Sequence, residues 1–216
     1  MNSREKSTRR TEAAETSKKA ILDAAEALFA EKGYDGTSLQ EICDRAGVTR
    51  GLPNYFFGSK EELYRSALER TFALTLTREL LMFLREQAHR PGARLEESLR
   101  VAIERIFDFF VMNPTFIRLT EWEALNGGRY LGSLPTLITT LCEAVQLLYE
   151  DVGWQKNDVE QFLIDLVALC WFPMAHADTF LKPLGVDGHD PDFLARRKQH
   201  VVNLLLDRER SRSTAR

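Results

Sequence analysis

The chain has 216 residues, 44% of them apolar and 28% charged, with a formal net charge of −3. This is the composition of a globular protein with a real core, in one large or two small domains, and the acidic total by itself argues against a nucleic-acid binder. No apolar run reaches the ~18 residues of a membrane span, and the N-terminus lacks the apolar stretch of a secretory signal, so the chain is expected to be cytoplasmic.

Charge is unevenly spread. Residues 1–20 carry six basic side chains (Arg4, Lys6, Arg9, Arg10, Lys18, Lys19) against three acidic ones. Residues 1–15 read as a disordered basic arm, either simply solvated or suited to touch a polyanion at one end of an acidic body. Ile21, Ala24, Ala25, Leu28 and Phe29 then make one face of a helix from about Thr16 to Lys32, with Gly33 at its C-terminal stop. Thr37-x-x-Gln40 and Ser38-x-x-Glu41 are overlapping capping boxes that open a second helix ending near Arg45. Ala46-Gly47-Val48 is a tight turn. Thr49 is the favoured cap of a short third helix, with Pro53 its fifth residue. The alternative is a start near Leu52, which puts Pro53 at the first position and leaves Arg50 in a loop. Ser59-x-x-Glu62 opens a fourth helix through about Arg85, before a break at Pro91-Gly92.

Later segments are longer. Leu95, Leu99, Ile103, Ile106 and Phe110 form one stripe, stopped at Asn113-Pro114. Phe116–Leu125 is a shorter helix ended by Gly127-Gly128. Leu134 to Val152 forms another stripe, closed by Gly153. Asp158 to about Leu181 is apolar on nearly all sides and should kink at Pro173. A last helix runs from about Pro191 to Arg208. The fold class is therefore all-α, with about nine helices. Cys43, Cys142 and Cys170 are dispersed and read as reduced, buried thiols.

The pair of short helices after Thr37 has the proportions of a helix-turn-helix. The free face of its second helix offers Thr49, Arg50, Asn54 and Tyr55, with Lys60 just beyond. These groups can bond phosphates, and Arg and Asn can read guanine and adenine edges. A plain helical hairpin with a polar surface fits the same spacing.

Lys19 to Leu68 resembles the DNA-binding domain of the TetR/AcrR family of transcriptional repressors. The matching marks are Gly33-Tyr34, Thr37-Ser38, Ile42, Ala46-Gly47-Val48-Thr49, Gly51, Phe57, Lys60 and Leu63. The resemblance implies a helix-turn-helix DNA-binding domain over 16–62 and a helical ligand-binding and dimerisation domain over 63–210. It implies DNA contacts from Thr37 or Ser38 and from Thr49 to phosphate, with Gln40 and Gly51 in the same surface. Arg50, Asn54 and Tyr55 would enter the major groove, and Lys60 would bind phosphate. The chain departs from the family at Pro53, Asn54 and Phe56, so its base preference is expected to be its own.

The resemblance further implies a homodimer through the last two helices, binding a palindromic double-stranded operator and released by a small apolar or aromatic effector. Candidate lining residues are Phe83, Phe107, Phe110, Phe116, Trp122, Tyr130, Trp171 and His176, each of which ordinary core packing also explains. A constitutive DNA-binding regulator without an effector is the alternative. No catalytic motif is present (no G-x-S-x-G, H-E-x-x-H, P-loop or Rossmann glycines), so no enzyme activity is expected. No cofactor is expected either, and His176-x-Asp178 is too thin a cue for a metal.

Overall fold

The computed structural model describes residues 3–72, 82, 95–131 and 156–214. The end of the fourth expected helix towards Arg85, Phe83, Pro91-Gly92, the stripe from Leu134 to Val152, Cys142 and Gly153 lie outside the described residues. The described residues form eight α-helices and no strand. They belong to two compact units, Met1–Phe72 with Arg118–Gly132, and Ala73–Ile117 with Ser133–Arg216.

The first unit is built on α1 (Ser3–Lys32), which is helical across the stretch that composition suggested was a disordered arm. Its residues Ile21, Ala24, Ala25, Leu28 and Phe29 are all buried, as their spacing predicts. Gly33, at φ +70°, ends the helix, and its N–H donates to the Phe29 carbonyl at 2.8 Å. A side chain could not replace it cheaply, because a Cβ there would meet the Trp122 ring at 2.8 Å. Thr37 then turns its hydroxyl back onto the Leu28 and Gly33 carbonyls, at 3.1 and 2.8 Å, satisfying acceptors that the helix end leaves open.

Helix α2 (Leu39–Ala46) starts at Ser38 with both halves of the capping box formed, and Gly47, in the left-handed region at φ 66°, closes it. Helix α3 is Leu52–Phe57 and α4 is Lys60–Phe72. The favoured cap at Thr49 is therefore corrected. Thr49 sits in a turn whose carbonyl accepts from Leu52 N–H at 3.1 Å, Gly51 is the N-cap, and Pro53 falls in the first turn. A proline there forfeits no intrahelical bond, because first-turn N–H groups have no partner within the helix. Ser59 accepts from the Glu62 N–H at 3.1 Å and opens α4 as its pattern predicts.

Helix α5 is Leu95–Met112 and α6 is Pro114–Leu125. Residues from Arg118 onward belong to the first unit, where they complete its core. Tyr64 and Glu123 are both fully buried, and the Tyr64 hydroxyl donates to Glu123 Oε1 at 2.8 Å. The other carboxylate oxygen accepts from the Tyr130 backbone N–H at 2.9 Å. The rings of Phe29, Tyr34, Tyr64 and Tyr130 pack around this pair with centroids 4.7–6.2 Å apart.

In the second unit α5 packs with α7 (Lys156–Ala175) and α8 (Pro191–Thr214). Leu99, Ile103, Phe107, Phe162, Leu166, Cys170, Val201, Val202 and Leu205 fill its core. Each such side chain contributes about 1.5–3 kcal/mol by leaving water. Lys198 on α8 pairs with Asp108 on α5 at 2.5 Å. The expected continuous helix to Leu181 instead ends at Ala175, two residues beyond Pro173. A π-helical turn (Ala177–Leu181) and a 3-10 turn (Lys182–Leu184) follow at a bend of 70°. Among the described residues no single helix is long and apolar enough to cross a membrane.

Candidate nucleic-acid interface

The head presents α3 outward. Asn54 and Tyr55 are exposed, with Tyr55 keeping 79% of its surface, while Pro53 on the same short helix is buried. Six residues cannot hold a helix unaided, so α3 depends on packing against its neighbours. Leu52, Phe56 and Phe57 supply that packing from its inner side. The Tyr55 ring rests edge-on against Phe56 at 5.1 Å, which holds the phenol projecting from the helix. Arg50 and Gly51 are exposed in the turn before α3, so Arg50 stands in a loop, as the later start of the helix requires.

The remaining candidates divide. Ser38 is exposed at the N-terminus of α2, where the helix dipole and free N–H groups favour an anion, but its own side chain and N–H are engaged with Glu41. Gln40 is half-buried and donates to Asp44 at 2.5 Å. Thr49 is exposed. Lys60 is half-buried, its ammonium 4.3 Å from the Tyr34 ring centroid. Thr37 is corrected. It is only 2% exposed and its hydroxyl is committed to the Leu28 and Gly33 carbonyls at the end of α1, so that hydroxyl is not free for a phosphate. Lys18, on the first expected helix, was not among the candidates named from the sequence. Its ammonium is 5.9 Å from the Phe57 ring centroid, beside the end of α3.

Acidic groups on this unit are largely matched internally. Glu31 pairs with Arg45 at 2.8 Å, Glu41 with Lys32 at 2.5 Å, and Asp23 with Lys19 at 2.7 Å. The Lys32 ammonium and the Ser38 N–H and hydroxyl hold the Glu41 carboxyl down at about 2. Arg45 holds Glu31 below the usual carboxylate range. Burial pushes the Cys43 thiol up, and its sulfur lies 3.7 Å from the Thr49 carbonyl oxygen. Arg50 and Lys60, by contrast, have no salt-bridge partner among the described residues. The net −3 thus misleads: charge is neutralised within the head while unpaired cations flank α3.

The described candidate ligand-lining residues fall in both units. Trp122 and Tyr130 belong to the first unit, where Trp122 Nε1 donates to the Ala30 carbonyl at 3.2 Å and Tyr130 sits in the tyrosine cluster. Both pack into that unit, as the core-packing alternative expects. Phe107, Phe110, Phe116 and Trp171 line or adjoin the core of the second unit. His176 stands at the bend, its ring packed against Trp171 and Phe172. A separate open cleft of about 370 Å³ is bounded by Ala177, Asp178, Lys182 and residues 185–189, and involves none of the aromatic candidates.

Comparison with known proteins agrees with this geometry. The sequence profile of the TetR family of bacterial regulatory proteins matches residues 21–67, and that of the tetracyclin repressor-like C-terminal domain matches residues 96–205. The HTH-type transcriptional repressor NicS of Pseudomonas putida is 27% identical over 186 residues, covering 82% of this chain and 85% of the relative. The HTH-type transcriptional regulator RutR of Escherichia coli is 28% identical over 216 residues, covering 94% and 95%. A TetR-like transcriptional regulator from Rhodococcus sp. RHA1 shares the fold, with a TM-score of 0.62 at 22% identity over 88% of this chain and 93% of that one. With two family profiles in register on a helix-turn-helix head and an all-helical second unit, the chain belongs to the TetR family, as a DNA-binding transcriptional regulator.

Proposed function

We propose that the protein is a repressor that binds a palindromic operator as a homodimer and leaves it when a small molecule occupies the second unit. The observation that carries this reading is α3, a short buried-proline helix whose Asn54 and Tyr55 face solvent beside the unpaired Arg50. In this reading Asn54, Tyr55 and Arg50 enter the major groove, while Ser38, Gln40, Thr49, Gly51 and Lys60 lie along the backbone contacts, with Lys18 added beside them.

Dimerisation is supported by the outer side of α7. Ile164, Val167 and Phe172 are 60%, 40% and 39% exposed there, and Leu204 on α8 is 47% exposed. An apolar stripe at helical spacing on adjacent helices suits a self-complementary two-fold interface with a second copy. Two heads so joined would read half-sites about 34–36 Å apart. A ligand that prefers a conformer with another head spacing would release them together.

Gel-shift titration at several salt concentrations tests the DNA reading. A palindromic site selected from random duplexes should bind far more tightly than its scrambled version, with affinity falling steeply as salt rises. Equal binding to both duplexes overturns it.

A further inference from the structure

Pro173 has no N–H, so the carbonyl of Leu169, four residues earlier on α7, has no helical donor. Arg197 on α8 fills that gap, with Nη2 donating to the Leu169 oxygen at 3.0 Å. One N–H is thereby explained, but the charge is not. Arg197 Nε is buried with no acceptor, and Trp171 Nε1, two residues along from Leu169, is buried with none either. No carboxylate pairs with Arg197 among the described residues. The neighbouring thiol, Cys170, is pushed up to about 12 by burial and stays neutral. Partial burial holds the Arg197 guanidinium below its usual value.

A neutral amide or a water could cap one carbonyl. A half-buried guanidinium whose Nε lies out of water is favoured by an anion beside it, and buried donors without acceptors are rare in folded proteins. Here two such donors lie on adjoining helices, Trp171 standing two residues along from the carbonyl that Arg197 caps, and Leu169, Trp171, Met174 and Leu194 all pack against the core of the second unit. Guanidinium groups match planar carboxylates, and apolar walls with a few convergent donors are the usual make-up of a small-molecule site.

We propose that the second unit binds a small organic acid, with its carboxylate held by Arg197 and the Trp171 indole N–H and its apolar body against the side chains of α7. This rests on the effector reading above and sharpens it, since the expected apolar or aromatic ligand acquires an acidic group.

Matched acids and amides test it on the full chain: benzoate with benzamide, phenylacetate with phenylacetamide, and octanoate with octanamide. Calorimetric titration and thermal shift provide the readouts. At least one acid should bind about tenfold or more tightly than its amide. Arg197→Met should bring that acid down to the amide's affinity while changing the amide's little. Because this variant also uncaps the Leu169 carbonyl, Trp171→Phe serves as the second variant. It removes the indole N–H together with part of the ring, leaves the Leu169 carbonyl capped, and should lower the acid's advantage over the amide by about threefold or more, a ratio that lost packing common to both ligands does not change. Equal binding of acids and amides to the unaltered protein, or an acid preference that survives both substitutions, overturns the acidic subsite and leaves the effector reading standing. If no acid binds, the acidic subsite fails and the effector reading stands.

Discussion

Tyr55 keeps four-fifths of its surface in water on a helix whose other aromatic residues are packed inward, and no contact within the unit requires its hydroxyl. Tyr55→Phe and Asn54→Ala should therefore each weaken operator binding by about 1–3 kcal/mol in gel-shift titration, with the unfolding midpoint unchanged. Tyr64 is its opposite. Its fully buried hydroxyl is bonded to a fully buried carboxylate, and burial with that bond holds the phenol well above its usual value. Tyr64→Phe leaves Glu123 Oε1 without a donor and should cost about 1–3 kcal/mol of stability, measured by urea unfolding. The exposure of Asn54 and Tyr55 was legible because the apolar residues of a short helix take its inner side and leave the polar ones outside. The internal partners of Thr37, Trp122 and Tyr130 were not legible, for one physical reason. Residue type states what bonds a side chain can make, not which chain segment supplies the partner, and Trp122 meets Ala30 across 92 positions.

At the scale of elements, the sequence was most informative where a local bond sets the boundary. The capping box at Ser38–Glu41 and the stop at Gly33 are contained within a few residues, and both form as read. The start of α3 was not legible, because Thr49, Gly51 and Pro53 each allow a helix to begin and only packing chooses among them. The end of α7 shows the same limit, since Pro173 signals a disruption without saying that the helix terminates at Ala175 and turns by 70°. The Glu41 box also yields a pH prediction. Its carboxyl is ordinarily near 4.5 and is held at about 2 in the fold, so the charged form is the one the fold favours. That stabilisation is present above about pH 4.5 and is lost as pH falls towards 2. The difference in urea midpoint between the unaltered chain and Glu41→Gln should accordingly be largest at neutral pH and shrink on acidification through that window.

For the whole molecule, an all-helical architecture with a helix-turn-helix head was legible from periodicity and spacing, because those depend on short-range pattern. The arrangement of side chains within the second unit was not, since it depends on which of several similar apolar helices pack together. The apolar stripe of α7 gives the prediction at this scale. Ile164→Asp with Phe172→Glu should lower the solution mass measured by light scattering from twice 24.8 kDa to 24.8 kDa. Operator affinity should fall by about tenfold or more, because both heads must then dock independently. The head itself is not a continuous piece of chain. Residues 118–132 close its aromatic core, bringing Glu123 to Tyr64, Trp122 to Gly33 and Tyr130 to Tyr34. Exchange of reading heads between relatives by recombination at a single crossover after Phe72 would consequently join a head to a stranger's 118–132 segment. Chimeric regulators built on this chain need two crossovers, and the second segment has to travel with the first.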